Sequence, residues 1–300
     1  MRVQGSGLRR AQSSRFRVQL LFACLLVGVC VCPRGEAQVP LPNRYAVIIC
    51  ALSGDDAHYQ KLWGVGTKLY TALVNRFGYK PENIYFLFEE KPKKESPVFD
   101  TCRKENIKRV FDLLKTKLKP EDQLFIFIAG PADRYEGTTR IHLPGPDIAE
   151  KDLTEMVDAL PAARMVIAIT TPVSGYFLKP LAKPGRIIIT ATKPRMEINE
   201  TVFPYCFVDA FTDDAADVNK DGLLSAAEIF NYAQAGVEKF YKEYEVRGKK
   251  GAASDDEGLI QTEHPMLDDT GSGFGSLKIA PDSKDGKKAA QESFERKIGG

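Results

Sequence analysis

Apolar positions come in two alternating rhythms from residue 44 onward. Residues 45–52 (YAVIICAL) form the unbroken apolar run of a strand covered on both faces. Ser53-Gly54-Asp55-Asp56 follows and supplies turn and helix-capping chemistry. Leu62, Val65, Leu69, Leu73 and Val74 then recur at helical spacing up to Phe77-Gly78, with Trp63 beside that apolar face and expected in the core. The same alternation continues with a strand over 83–88 and a helix whose face carries Ile107, Val110, Phe111, Leu113 and Leu114. A strand over 123–129 closes this run. Pro81-Glu82 and Pro120-Glu121 introduce the second and third strands in the same way, and no fixed-period repeat is visible.

Beyond residue 130 the pattern predicts a short hairpin segment at 140–143, a helix over 149–160 and strands over 164–171 and 186–191. Strands alternating with helices of this length define an α/β fold, a mostly parallel central sheet with helices on both faces. The domain is expected over about 40–270, with 248–258 as a mobile loop. Residues 276–300 are rich in Lys, Asp, Gly and Ala and poor in aromatics, the composition of a disordered tail.

Of the 300 residues 43% are hydrophobic and 27% charged, enough for a real core. The formal charge of +2 misleads, because six arginines lie within the first 37 residues beside a single glutamate. Arg9, Arg10, Arg15 and Arg17 precede an apolar run over 18–32 and then Pro33-Arg34-Gly35-Glu36-Ala37, the three parts of an export signal cleaved after Ala37. The run is shorter than the roughly 20 residues a spanning helix needs, so no stable membrane span is expected after cleavage. Without this segment the charge is −3, which gives no basic footprint for nucleic acid. Export places the chain in a periplasmic or extracellular compartment. Cys50, Cys102 and Cys206 remain, too widely spaced for a zinc site or a disulfide framework; one disulfide would be allowed, with no pair singled out.

Candidate chemistry concentrates where strands end, since open α/β sheets bind ligands outside the carboxyl ends of their strands. One strand runs into Ala129-Gly130-Pro131-Ala132, with Gly137 and Leu143-Pro144-Gly145 beyond it. The next runs into Thr170-Thr171-Pro172-Val173-Ser174-Gly175. On these turns the chain resembles the caspase/legumain-type superfamily of cysteine peptidases over residues 45–269, and most closely its exported bacterial members with a Thr-Thr-x-x-Ser-Gly turn. The resemblance implies a caspase-like three-layer sandwich. It also implies a catalytic histidine in a Gly-His-Gly-like first turn and a cysteine in a Cys-x-Ser-Gly second turn. Pro131 stands in the place of the first and Pro172 in that of the second.

Thiol catalysis needs a thiolate and an imidazole, and proline has no ionisable group and no N–H to offer an oxyanion. The reading is therefore a pseudopeptidase with no intact catalytic set, serving binding or scaffolding toward a protein or peptide that the sequence does not name. The alternative is a peptidase with a displaced nucleophile, Ser174 or Thr171 with His142 as base. Asp55 and Asp56, after the first strand, could bind a basic group, with helix capping as their ordinary role.

A second motif spans residues 217–228. Asp217, Asn219, Asp221, Leu223 through its carbonyl, Ser225 and Glu228 fall at positions 1, 3, 5, 7, 9 and 12 of an EF-hand loop, with Gly222 at position 6. Alternating oxygen side chains converge inside such a turn, and the last glutamate can grip a hard cation with both oxygens. A structural Ca²⁺ is expected there. Residues 205–212 would serve as a short entering helix, and Ile229, Tyr232, Ala233, Gly236, Val237 and Phe240 have the spacing of an exit helix. The competing reading is a metal-free, Asx-rich loop with Glu228 favoured by the helix N-terminus.

Overall fold

The computed structural model describes residues 42–90, 96–161, 164–251, 261–280 and 282–297. The export signal expected over 1–37 lies outside the described residues. In chain order the elements are β1 (Arg44–Cys50), α1 (Asp56–Asn75), β2 (Ile84–Phe88), β3 (Asp100–Thr101), α2 (Lys104–Lys117), β4 (Gln123–Ala129), β5 (Ala132–Tyr135), β6 (Thr138–Ile141) and β7 (Ile148–Ala149). After them come α3 (Glu150–Asp158), β8 (Arg164–Ile169), α4 (Leu178–Leu181), β9 (Arg186–Thr190), α5 (Phe203–Ala210), β10 (Leu223–Ser225), α6 (Ala226–Gly251), β11 (Met266–Asp268) and β12 (Ser293–Glu295).

Seven strands form one sheet in the order β11-β9-β8-β4-β1-β2-β3, parallel throughout except for the antiparallel edge strand β11. Strand pleating divides the core in two. From β1, Ala46, Ile48 and Cys50 point to the layer of α1, α5 and α6, while Tyr45, Val47 and Ile49 point to that of α2, α3 and α4. β4 divides likewise, with Phe125 and Phe127 on the first face and Leu124, Ile126 and Ile128 on the second. Helices therefore cover both faces, which is why these strands read as continuous apolar runs. Trp63 is half-buried, packed on Phe86 and Phe88.

Two expectations need correction. The segment expected as a disordered tail folds back onto the domain. β12 pairs antiparallel with β10, and Phe294 is fully buried among Phe77, Tyr79, Phe125 and Phe211. The folded unit thus extends past 270, to Lys297 among the described residues. The loop expected over 248–258 starts too early, because α6 continues to Gly251; residues 252–260 lie outside the described residues.

Candidate functional site

The carboxyl ends of β1, β4 and β8 open into a cleft of about 460 Å³. Pro131 and Pro172 both line it, together with His142, Ser53, Thr170 and Thr201. The two turns paired by their sequences therefore face one space. Their backbone is tightly determined. Ala51 N–H donates to the Ala129 carbonyl at 2.8 Å, and a Cβ on Gly130 (φ +132°) would lie 2.7 Å from the Ala51 Cβ. Only glycine fits that crossing.

The second turn is held as firmly. Val173 sits in left-handed backbone (φ 49°, ψ 15°), an uncommon state for a β-branched residue. The neighbouring contacts over-determine it: Val173 N–H donates to the Glu197 carbonyl at 2.9 Å, and Gly175 N–H to the Thr192 hydroxyl at 3.0 Å. A Cβ on Gly175 would fall 2.1 Å from the Lys193 carbonyl carbon. The turn thus keeps a strained strand-to-helix geometry immediately after Pro172.

His142 reaches the cleft from the residue after β6. Its Nδ1 lies 3.1 Å from Asp147 and its Nε2 3.6 Å from Asp133, so the ring sits between two carboxylates. The structure does not bring Thr171 or Ser174 to it. Both are fully buried and neither lines the cleft. The Thr171 hydroxyl donates to the Pro172 carbonyl, and Ser174 Oγ accepts from the N–H groups of Ala191 (3.0 Å) and Thr192 (3.2 Å). Hydroxyls that do line the cleft are also engaged: Ser53 with Glu89, Thr170 with the Ile128 carbonyl and Thr201 with the Thr170 carbonyl.

Among the described residues Cys50, Cys102 and Cys206 are free and none lines the cleft. Burial pushes the Cys50 thiol far up, Cys102 up to about 12 and Cys206 up to about 11. Thiols so placed stay protonated and unreactive at neutral pH.

Sequence reasoning singled out Asp55 but missed the rest of a charged cluster at the cleft mouth. Asp55 caps α1, accepting from His58 N–H at 2.8 Å, and its other oxygen is 2.7 Å from His58 Nδ1. His58 Nε2 is 3.4 Å from Glu200, which also meets Lys61 at 3.1 Å and Tyr205 at 3.3 Å. The bond to Asp55 holds the His58 pKa above its ordinary value. Burial acts to raise the Glu200 carboxyl, but Lys61 and His58 outweigh it and the net shift is downward. The Asp-x-x-His spacing could have suggested the His58 end; Glu200 comes from 142 residues away, with no local signal.

The 217–228 loop lies apart, joining α5 to α6. Its oxygen side chains accept hydrogen bonds from the loop's own backbone. Asp217 accepts from Gly222 N–H, Asn219 from Asp221 N–H and Asp221 from Leu223 N–H. Glu228 takes Val218 N–H on one oxygen and Ser225 N–H and hydroxyl on the other. Asp217 is 95% buried, yet its Oδ1 has no hydrogen-bond partner. Among the described residues no group of three His, Cys, Asp or Glu side chains is gathered to hold a metal. The motif's three carboxylates, Asp217, Asp221 and Glu228, are therefore not drawn together.

No protein-family model matches the chain, and a search of curated proteins found no match. Among the described residues no helix is long and apolar enough to cross a membrane.

Proposed function

We propose that this chain is an exported, caspase-like pseudopeptidase whose cleft binds a protein or peptide segment without cleaving it. The observation behind this reading is the pair of prolines, Pro131 and Pro172, at the two strand ends that share the cleft. General base and nucleophile would both have to come from elsewhere. The Thr171 hydroxyl donates to the Pro172 carbonyl, Ser174 Oγ accepts from Ala191 N–H, and His142 is set between Asp133 and Asp147. Those bonds favour binding over the alternative of Ser174 or Thr171 working with His142.

The test is incubation of the chain, freed of residues 1–37, with peptide libraries and a thiol-reactive active-site probe. Retention of peptides without turnover and without labelling is expected. Robust cleavage abolished by His142→Ala would overturn the reading.

We further propose that Ca²⁺ occupies the 217–228 loop as a structural clip between α5 and α6. The buried, unpartnered Asp217 Oδ1 supports it, since a cation would supply the missing partner. Asp217, Asn219, Asp221, the Leu223 carbonyl, Ser225 and Glu228 would hold the ion. A lone loop of this kind belongs with extracellular modules, with affinity on the order of 10⁻⁴–10⁻³ M. Calorimetry should register binding and melts should shift upward in millimolar calcium. No heat and no shift would remove calcium from the account.

A further inference from the structure

A cationic side chain from the C-terminal segment already stands beside the first ligand position of that loop. Arg296 follows β12, which pairs with the loop's own strand β10 through Leu223↔Glu295, Leu224↔Phe294 and Ser225↔Ser293. Its guanidinium lies 3.7 Å from Asp217 Oδ2 and donates to Asp214 Oδ1 at 3.2 Å. Asp217 Oδ1 and Arg296 Nε are the two buried side-chain atoms left without a hydrogen-bond partner among the described residues. Both orphans therefore belong to one ion pair, at a carboxylate that the motif assigns to a metal.

We infer that Arg296 is a resident counter-cation for the calcium loop. It sets the loop's affinity and holds the loop assembled when no metal is bound. A buried carboxylate is costly without a positive charge beside it, and Arg296 supplies one to Asp217 at position 1. The same charge opposes an incoming divalent ion. Pairing of β10 with β12 fixes the guanidinium in place, so the C-terminal segment acts on the loop as a built-in regulator.

This rests on the calcium reading above, and calorimetry separates the two. The chain lacking residues 1–37 is titrated with CaCl₂ as wild type, Arg296→Gln, Arg296→Lys and Glu228→Gln. Arg296→Gln should bind calcium on the order of three- to tenfold tighter, the effect of removing one nearby unit charge from a loop whose residues 218–223 are exposed to screening solvent. Arg296→Lys should stay near wild type and Glu228→Gln should lose binding. In chelator the Arg296→Gln protein should melt below wild type, and saturating calcium should close that gap.

Arg296→Met, which keeps the apolar stem, repeats the test if Arg296→Gln does not fold. No heat in wild type or in either neutral variant refutes the calcium reading itself. Equal affinities in wild type and a neutral variant overturn the role of Arg296 and leave the calcium loop standing.

Discussion

Ser174 decides how the turn after β8 should be regarded at the scale of single residues. It belongs to the Thr-Thr-x-x-Ser-Gly turn and reads as a candidate nucleophile, yet its oxygen faces inward and accepts two backbone N–H groups. Ala191 N–H has a second acceptor in the Ile169 carbonyl, whereas Thr192 N–H donates to Ser174 Oγ. Ser174→Ala should therefore leave one buried donor unsatisfied and cost about 1–3 kcal/mol of stability, read from a shifted urea midpoint. A nucleophile would behave oppositely, with an unchanged midpoint and lost turnover. Pro131 and Pro172 were legible because proline in a strand-end turn cannot be mistaken. The left-handed Val173 was not, since nothing in a valine announces positive φ.

Elements were legible wherever periodicity had room to express itself. β1, β2, β4, β8 and β9 emerged within a residue or two of their ends, and α1 and α2 showed their buried stripes. β3, β7 and β12 have two or three residues each, too few for a period to register. Buried charge is equally silent in sequence, as Glu263 illustrates. Its carboxylate accepts from Val202 N–H at 2.9 Å and Phe203 N–H at 3.1 Å, pinning the start of α5 from the segment before β11. Burial nevertheless pushes its pKa up to about 7, against the lowering effect of those bonds. A folded-state pKa above the unfolded value means that the contribution is full below about pH 4.5. It is lost as pH rises through 7. Denaturant midpoints should decline across that window by the equivalent of about 2–3 kcal/mol, and Glu263→Gln should flatten the decline. An identical slope in the variant would show that another group is responsible.

The whole molecule differs most from its sequence in where it ends. Residues 276–300 carry the composition of a disordered tail because composition counts charges and cannot see their partners. Glu292 is buried against Arg164 at 2.9 Å and also bonds Gln123, while Asp285 takes bonds from Ser276, Thr270 and the Asp269 N–H. Each partner outside the tail belongs to the sheet or its immediate continuation. Phe294 then enters the aromatic group of Phe77, Tyr79, Phe125 and Phe211 on the α1/α5/α6 face of the sheet. A disordered appendage could be trimmed without consequence, whereas a core element could not. Phe294→Ala should lower stability by about 3–5 kcal/mol, the range for emptying a buried aromatic site. Deleting residues 282–300 should lower it further, because the Arg164, Gln123 and Asp269 groups lose their partners as well. Thermal melts of the two variants against the intact chain check both. Equal melting temperatures in all three would mean that this segment is not part of the fold.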